Sequence, residues 1–234
     1  MRDRGESWAE RCESHQAIRC ITCSIARTGA RRCSDDEGDY AAFARVLAEA
    51  QQRVPMRLLA YCLMPNHWHL VLWPFGDGDL SRFMAWLTLT HTQRWHAHRH
   101  TTGSGHLYQG RFKSFLVQTD AHLLTVCRYV ERNVRRAHLV ERAEHWRWGS
   151  LWRRESRQGS TGLRVDDGPV ARPSHWVEWV NAAETEAELR AVRQSVVRSQ
   201  PFGETSWVEA MVDRLCLHTT QRPQGRPKTL KVGV

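Results

Sequence analysis

No stretch constrains this chain more than residues 61–73, YCLMPNHWHLVLW. An apolar run, a bend at Pro65 and Asn66, and then alternation predict two strand segments with a kink between them. Strand side chains alternate faces with period two, so His67 and His69 project to one side while Trp68 points into a core on the other. Two imidazoles on one face can take one cation between them. The same spacing also suits a polar strand face wetted by solvent, and the rest of the chain has to decide between the two.

The 234 residues suffice for one domain with a real core plus an appendage. Lys and Arg outnumber Asp and Glu by 34 to 25, and the excess is mainly arginine, whose planar fork suits phosphate. Nucleic acid is therefore favoured over a membrane surface as partner. Seven cysteines are scattered, with Cys12, Cys20, Cys23 and Cys33 nearest one another. One CxxC with outliers is half a zinc motif, and residues 18–25 read equally well as a strand with buried thiols. The start is polar and no apolar run is long enough for a membrane span, so a cytoplasmic protein is expected.

Taken in order, residues 1–16 are polar and carry no pattern. Residues 17–26 suit a first strand. The acidic turn 34–39 offers caps for a helix over 40–53, with Phe43, Leu47 and Ala50 at helical spacing, which Pro55 stops. Asp79 or Ser81 can cap a second helix whose inward stripe is Leu80, Phe83 and Leu87, with His91 or Trp95. Its far end carries His91, His96, His98 and His100, of which His96 and His100 share a face and His98 does not, which makes a rival metal cluster or a solvated helix end. Residues 106–118 suit a strand in which Arg111 and Lys113 alternate with aromatic residues, either to touch a phosphate backbone or as a charged outer face.

Thr119 or Asp120 then caps a helix over 121–137, with Leu123, Cys127, Val130 and Val134 as its buried stripe. Tyr129 and Asn133 lie one turn apart, so a phenol and a carboxamide point the same way. From 128 to 154 there are eight arginines against three glutamates. Residues 156–174 turn to Ser, Gly, Pro and Asp and read as a linker. Two helical patterns follow, at 176–199 and 205–215, and then a basic RPQGRPK tail at 222–228 whose shape suits a DNA minor groove.

A His-hydrophobic-His strand followed by a helical tyrosine and an amide one turn on resembles the HUH single-tyrosine transposases, and among them the REP-associated tyrosine transposases. The agreement runs through YCLMPNHWHLVL, GHLYQGRFKSFLV, RYVERNVRRAHLV, HWRWGSLWR, QPFGETSWVE and RPQGRPK, in that order. The resemblance implies an α+β fold, a central antiparallel sheet with the histidines on a middle strand and helices packed on it. The nuclease domain would span 17–155, the linker 156–174, and a small helical carboxy-terminal extension 175–234.

Position by position, the resemblance implies that His67, His69 and Asn133 hold a metal and that Tyr129 is the nucleophile. Attack by a phenol on a phosphodiester needs charge neutralisation, and two imidazoles with an amide oxygen and open positions favour Mg2+ or Mn2+ over a closed zinc site. Arg111, Lys113, Arg128, Arg132, Arg135, Arg136 and Arg226 become candidate contacts to single-stranded or hairpin DNA, and a monomer is favoured over a homodimer. The implied activity is nicking and strand transfer on hairpin-containing repeat DNA through a 5′-phosphotyrosine. The other readings are a catalytically silent DNA-binding protein of the same fold and a replication initiator or relaxase. Where the family has Asn-Pro-Val-Arg-Ala-Gly, this chain has Asn133-Val134-Arg135-Arg136-Ala137-His138, so without proline and glycine the helix is expected to run on. The poorer match before Arg27 implies an altered edge strand.

Overall fold

The computed structural model describes residues 19–24, 36–103, 105–156 and 162–221, the first of these as backbone only. Four strands, β1 (Arg19–Ser24), β2 (Met56–Leu63), β3 (His67–Pro74) and β4 (Lys113–Leu116), form one antiparallel sheet in the order β2-β3-β1-β4. β1 therefore lies inside the sheet, paired with β3 on one side and β4 on the other, and is not an edge. The expected strand over 106–118 is shorter. Residues 109–111 bend, with Gly110 at φ 78°, and the strand proper is Lys113–Leu116, with Val117 bridging Phe202 beyond it.

The sheet divides two cores. On one side Leu58, Tyr61, Leu63, Trp68, Leu70 and Leu72 pack against α1 (Glu37–Arg53) and α2 (Asp79–His98). On the other, Leu59, Ala60, Cys62, Val71 and Phe115 meet α3 (Ala121–Glu131), α5 (Ser150–Ser156), α6 (Trp176–Asn181) and α7 (Glu186–Arg198). Leu59 and Ala60 fall on the same side because the register between β2 and β3 shifts there, a bulge that admits one extra residue.

Local chemistry accounts for the helix ends. Asp36 caps α1 by accepting from the Asp39 amide at 3.0 Å, and Glu37 and Asp39 complement the amino-terminal dipole. α2 departs from expectation, since its cap is Gly78 in a left-handed conformation without a side-chain cap. Asp79 instead accepts from the Gly76 amide and pairs with Arg82. Asp120 caps α3 through the His122 amide.

Both outer strands are covered by the chain itself. Along β2, the Leu63 amide donates to the Trp148 carbonyl, the Tyr61 amide to Ser150 Oγ, and the Asp166 amide to the Leu58 carbonyl. Arg154 and Arg172 both donate to the Leu59 carbonyl at the bulge. Residues 162–174, expected as a linker, are thus laid against the sheet, and Leu163 is in its core. Beyond β4, the Phe202 amide donates to the Leu116 carbonyl and the Gln118 amide to the Phe202 carbonyl. An exposed edge is a template for unwanted strand pairing, and these segments close both. The helical pattern at 176–199 divides into α6 and α7, and α8 (Thr205–Arg214) follows. Trp176, Val180 and Val192 share the α3 core, so the carboxy-terminal helices complete the domain's interior.

The helix bearing Tyr129 does not run on. After a local irregularity at Arg132 it resumes as α4 (Asn133–Arg136) and stops at His138, which stands at φ 55°. The Leu139 amide bonds the Val134 carbonyl and the His138 amide the Arg135 carbonyl, a Schellman ending built without glycine. His138 is exposed, so its side chain supplies no packing to offset the strain. His138→Gly should raise stability by about 1 kcal/mol, an increase of about 2–4 °C in melting temperature for a chain of this size. Differential scanning calorimetry of the two proteins measures it, and a lower melting temperature in the variant would contradict the strain.

Candidate active site

The alternation of β3 places Trp68 against Phe43 and Tyr108 on one face of the sheet, and turns His67 and His69 toward the helix that carries Tyr129. The imidazoles stand edge to face with centroids 4.9 Å apart, and the His69 and Tyr129 rings are 6.0 Å apart. Asn133 follows one turn after Tyr129, and its Nδ2 lies 3.4 Å from His67 Nε2. Sequence positions 67, 69, 129 and 133 thus converge on one place. His69, Tyr129 and Asn133 are buried and His67 is half-buried, so the cluster reaches solvent on the His67 side.

Burial first, and then the Arg136 charge, lowers the His67 pKa. His69 lies well below the ordinary imidazole range, through burial, then His67 and Arg136. Both rings are therefore neutral near pH 7 and keep a lone pair for a ligand. His67 Nδ1 is 2.7 Å from Asn66 Oδ1, which accepts its proton and leaves Nε2 as the lone pair facing Asn133. Two neutral imidazoles fit a divalent cation that completes its shell with water and phosphate oxygens, whereas the Asn133 carboxamide turns Nδ2 toward His67 and gives Oδ1 to Arg136. Among the described residues no cluster of three or more His, Cys, Asp or Glu could hold a metal. The rival histidines illustrate why: α2 ends at His98, His100 turns to φ 52°, and His96 Nδ1 meets Thr101 Oγ1.

The arginines expected at DNA divide into distinct groups. Arg128 is 3% exposed and donates to the carbonyls of Trp179, Ala182 and Ala183. Arg132 donates to the carbonyls of Val180 and Asn181, and Arg135 to those of Asn181 and Glu141. These three form a row that satisfies the orphan carbonyls at the end of α6 and complements its dipole. The expected phosphate contact is therefore corrected for Arg128, which is inaccessible, and Arg132 and Arg135 have structural partners. Arg136 lies inside the site: its guanidinium carbon is 4.2 Å from the Tyr129 ring centroid, Nη2 donates to Asn133 Oδ1 at 2.8 Å, and Nη1 meets Glu184 at 2.9 Å. Arg111 and Lys113 are exposed at β4. Arg226 and the tail at 222–228, like Cys12 and Cys33, lie outside the described residues.

Two buried carboxylates escaped the sequence reading. Glu131 accepts from Ser150 Oγ and Trp176 Nε1, tying α3 to α5 and α6. The Glu184 side chain, 5% exposed, pairs with Arg132 and Arg136 from the turn between α6 and α7. Neither stands in a motif, and each acquires its partners only through distant parts of the chain.

The family described as "Transposase IS200 like" matches residues 14–133, 120 of the 234. The chain belongs to the IS200-like transposase family. It is accordingly a DNA transposase. A solved structure described as "Structure of the REP associates tyrosine transposase bound to a REP hairpin" is similar at 16% identity and TM-score 0.51, covering 73% of this chain and 95% of that one. That likeness carries the fold, an antiparallel sheet with helices on it. No curated protein matches the sequence. Among the described residues of this transposase no helix is long and apolar enough to cross a membrane.

The buried imidazoles set a pH dependence. His91, bonded to the Tyr108 hydroxyl at 2.6 Å, is held down to about 4 by burial, and His69 is lowered as well. Below about pH 6.5 the unfolded chain takes up protons at these positions that the folded chain refuses, so stability falls on acidification from about 6.5 toward 4. For His91 alone the loss across that window is about 3 kcal/mol. Urea denaturation at pH 7 and pH 4.5 should show the drop, and His91→Gln should reduce it. An equal drop in the variant would place the linkage on other groups.

Proposed function

We propose that this transposase nicks single-stranded DNA at a hairpin-bearing repeat and rejoins it through a 5′-phosphotyrosine on Tyr129. The observation that carries the proposal is the placement of the Tyr129 ring beside His69 with His67 next to it, three residues from two elements facing one spot. In the cutting step Tyr129 Oη bonds to phosphorus and loses its proton, while the bond from phosphorus to the 3′-oxygen breaks and that oxygen gains a proton. DNA is left on the enzyme by its 5′-phosphate with a free 3′-hydroxyl. The phosphodiester bond energy is conserved for the reverse attack, so no nucleotide triphosphate is needed.

His67 and His69, with Asn133 after a turn of its carboxamide that brings Oδ1 to face them, would hold Mg2+ or Mn2+, which when bound supplies neutralisation of the phosphate's charge. The protein's own part is to keep the imidazoles unprotonated and to orient Asn133 one turn from Tyr129. Burial of His69 and Tyr129 also keeps bulk water from the reacting atoms. The similar solved structure is bound to a REP hairpin, which supports a hairpin as this transposase's substrate. Coverage of both sheet edges by the chain's own segments supports a monomer.

A labelled pool of hairpin-bearing oligonucleotides with randomised single-stranded flanks, incubated with the protein and Mn2+ and then denatured, should yield a covalent adduct. Tyr129→Phe should abolish it, and His67→Ala should lower its rate by roughly 10²-fold or more. Binding without any adduct would identify a silent DNA-binding relative instead. Affinity should fall steeply with salt, and a flat dependence would remove the nucleic-acid substrate.

A further inference from the structure

The site holds one charge that its ligands and nucleophile do not account for. Arg132 and Arg136 share a single carboxylate, Glu184, so a net positive charge remains beside Tyr129. Two of the Arg132 contacts are to α6 carbonyls, which anchors it to the scaffold. A guanidinium has five N–H donors, and Arg136 directs one to Glu184 and one to Asn133 Oδ1. Its guanidinium carbon lies 4.2 Å from the Tyr129 ring centroid and its side chain is 18% exposed, so the N–H groups left over stand beside the phenol ring within reach of an incoming anion.

We infer that Arg136 is a further catalytic residue that binds the phosphate under attack, and that Glu184 is a positioning residue that aims it. The inference rests on the proposed Tyr129 chemistry for its catalytic half and on geometry alone for its binding half. A phosphodiester is a monoanion with two non-bridging oxygens, the shape and charge that a planar fork with spare N–H groups accepts. As negative charge spreads over those oxygens during attack, a preoriented guanidinium in a largely buried site stabilises it more than it stabilises the ground state. Glu184 restrains the rotation of Arg136. Because it lies in the turn between α6 and α7, beyond the 14–133 region common to the family, the carboxy-terminal helices take part in the chemistry. The clasp of Arg128, Arg132 and Arg135 on the end of α6 fixes that turn to the nucleophile helix.

The test uses the full chain in two arms. In the first, adduct formation with the same oligonucleotide pool and Mn2+ is timed for wild type, Arg136→Gln, Arg136→Lys and Glu184→Gln. The rate should fall by roughly 10²–10³-fold in Arg136→Gln, recover in part in Arg136→Lys, and fall less in Glu184→Gln. In the second arm, Tyr129→Phe is the parent, so nothing is cut, and affinity is measured for a DNA hairpin with and without a single-stranded flank. Adding Arg136→Gln should weaken binding of the flanked hairpin by roughly 10-fold and lower its salt slope by about one, with the bare hairpin unchanged.

Equal weakening of both hairpins, or no change in either, overturns the phosphate contact. Rates that track melting temperature across the variants, with no recovery in Arg136→Lys, overturn the catalytic role and leave a structural ion pair. An absent wild-type adduct refutes the Tyr129 proposal and with it the catalytic half, while the second arm still decides the phosphate contact.

Discussion

A strand buried on both faces must divide its side chains between two interiors, and β3 is the strand on which that division has chemical consequences. Trp68 completes the core under α1 and α2, and the residues flanking it are thereby forced to the opposite face. A slip of one residue would put the histidines in an apolar core and the indole at the site, so register here is enforced by the cost of that exchange. The bulge in β2 and the covers on both outer strands stabilise the same register from a distance.

The second constraint is the docking of the helix that carries Tyr129. Its apolar stripe, Leu123, Val126, Cys127 and Val130, settles on the sheet, and its arginines grip the end of α6. A run that looks like a polyanion-binding surface is largely an internal device for satisfying helix carbonyls. Arg111 and Lys113 are exposed and Arg136 is half-buried, so these three stand apart from that inward-turned row. Glu131 and Glu184 hold neighbouring elements to that helix through buried hydrogen bonds and ion pairs, where removing one partner would leave the other unsatisfied.

Much of the fold was legible because its signals are local. The α1 cap and stripe, the kinked pair of strands and the Asp120 cap each need only a few consecutive residues. The ending at His138 is not legible in the same way, because a chain without glycine there reads as a helix that continues, whereas the Schellman hydrogen bonds outweigh the strain of one left-handed residue. Residues 162–174 are opaque for a related reason. Their composition describes backbone without regular periodicity, and that is also what a segment looks like when it binds a sheet edge through individual carbonyls and amides.

The amino-acid sequence alone determined which groups share a face: a pair of histidines at strand spacing, and a tyrosine and an amide at helical spacing. Those spacings belong to backbone geometry and hold wherever the elements lie. Only the tertiary structure decided that strand and helix meet, that Arg128 turns inward while Arg136 turns to the phenol, and that Glu184 arrives from 48 residues away to hold it. Such pairings depend on how two faces of a sheet are filled and how a helix end is satisfied, and no short window of residues contains that information.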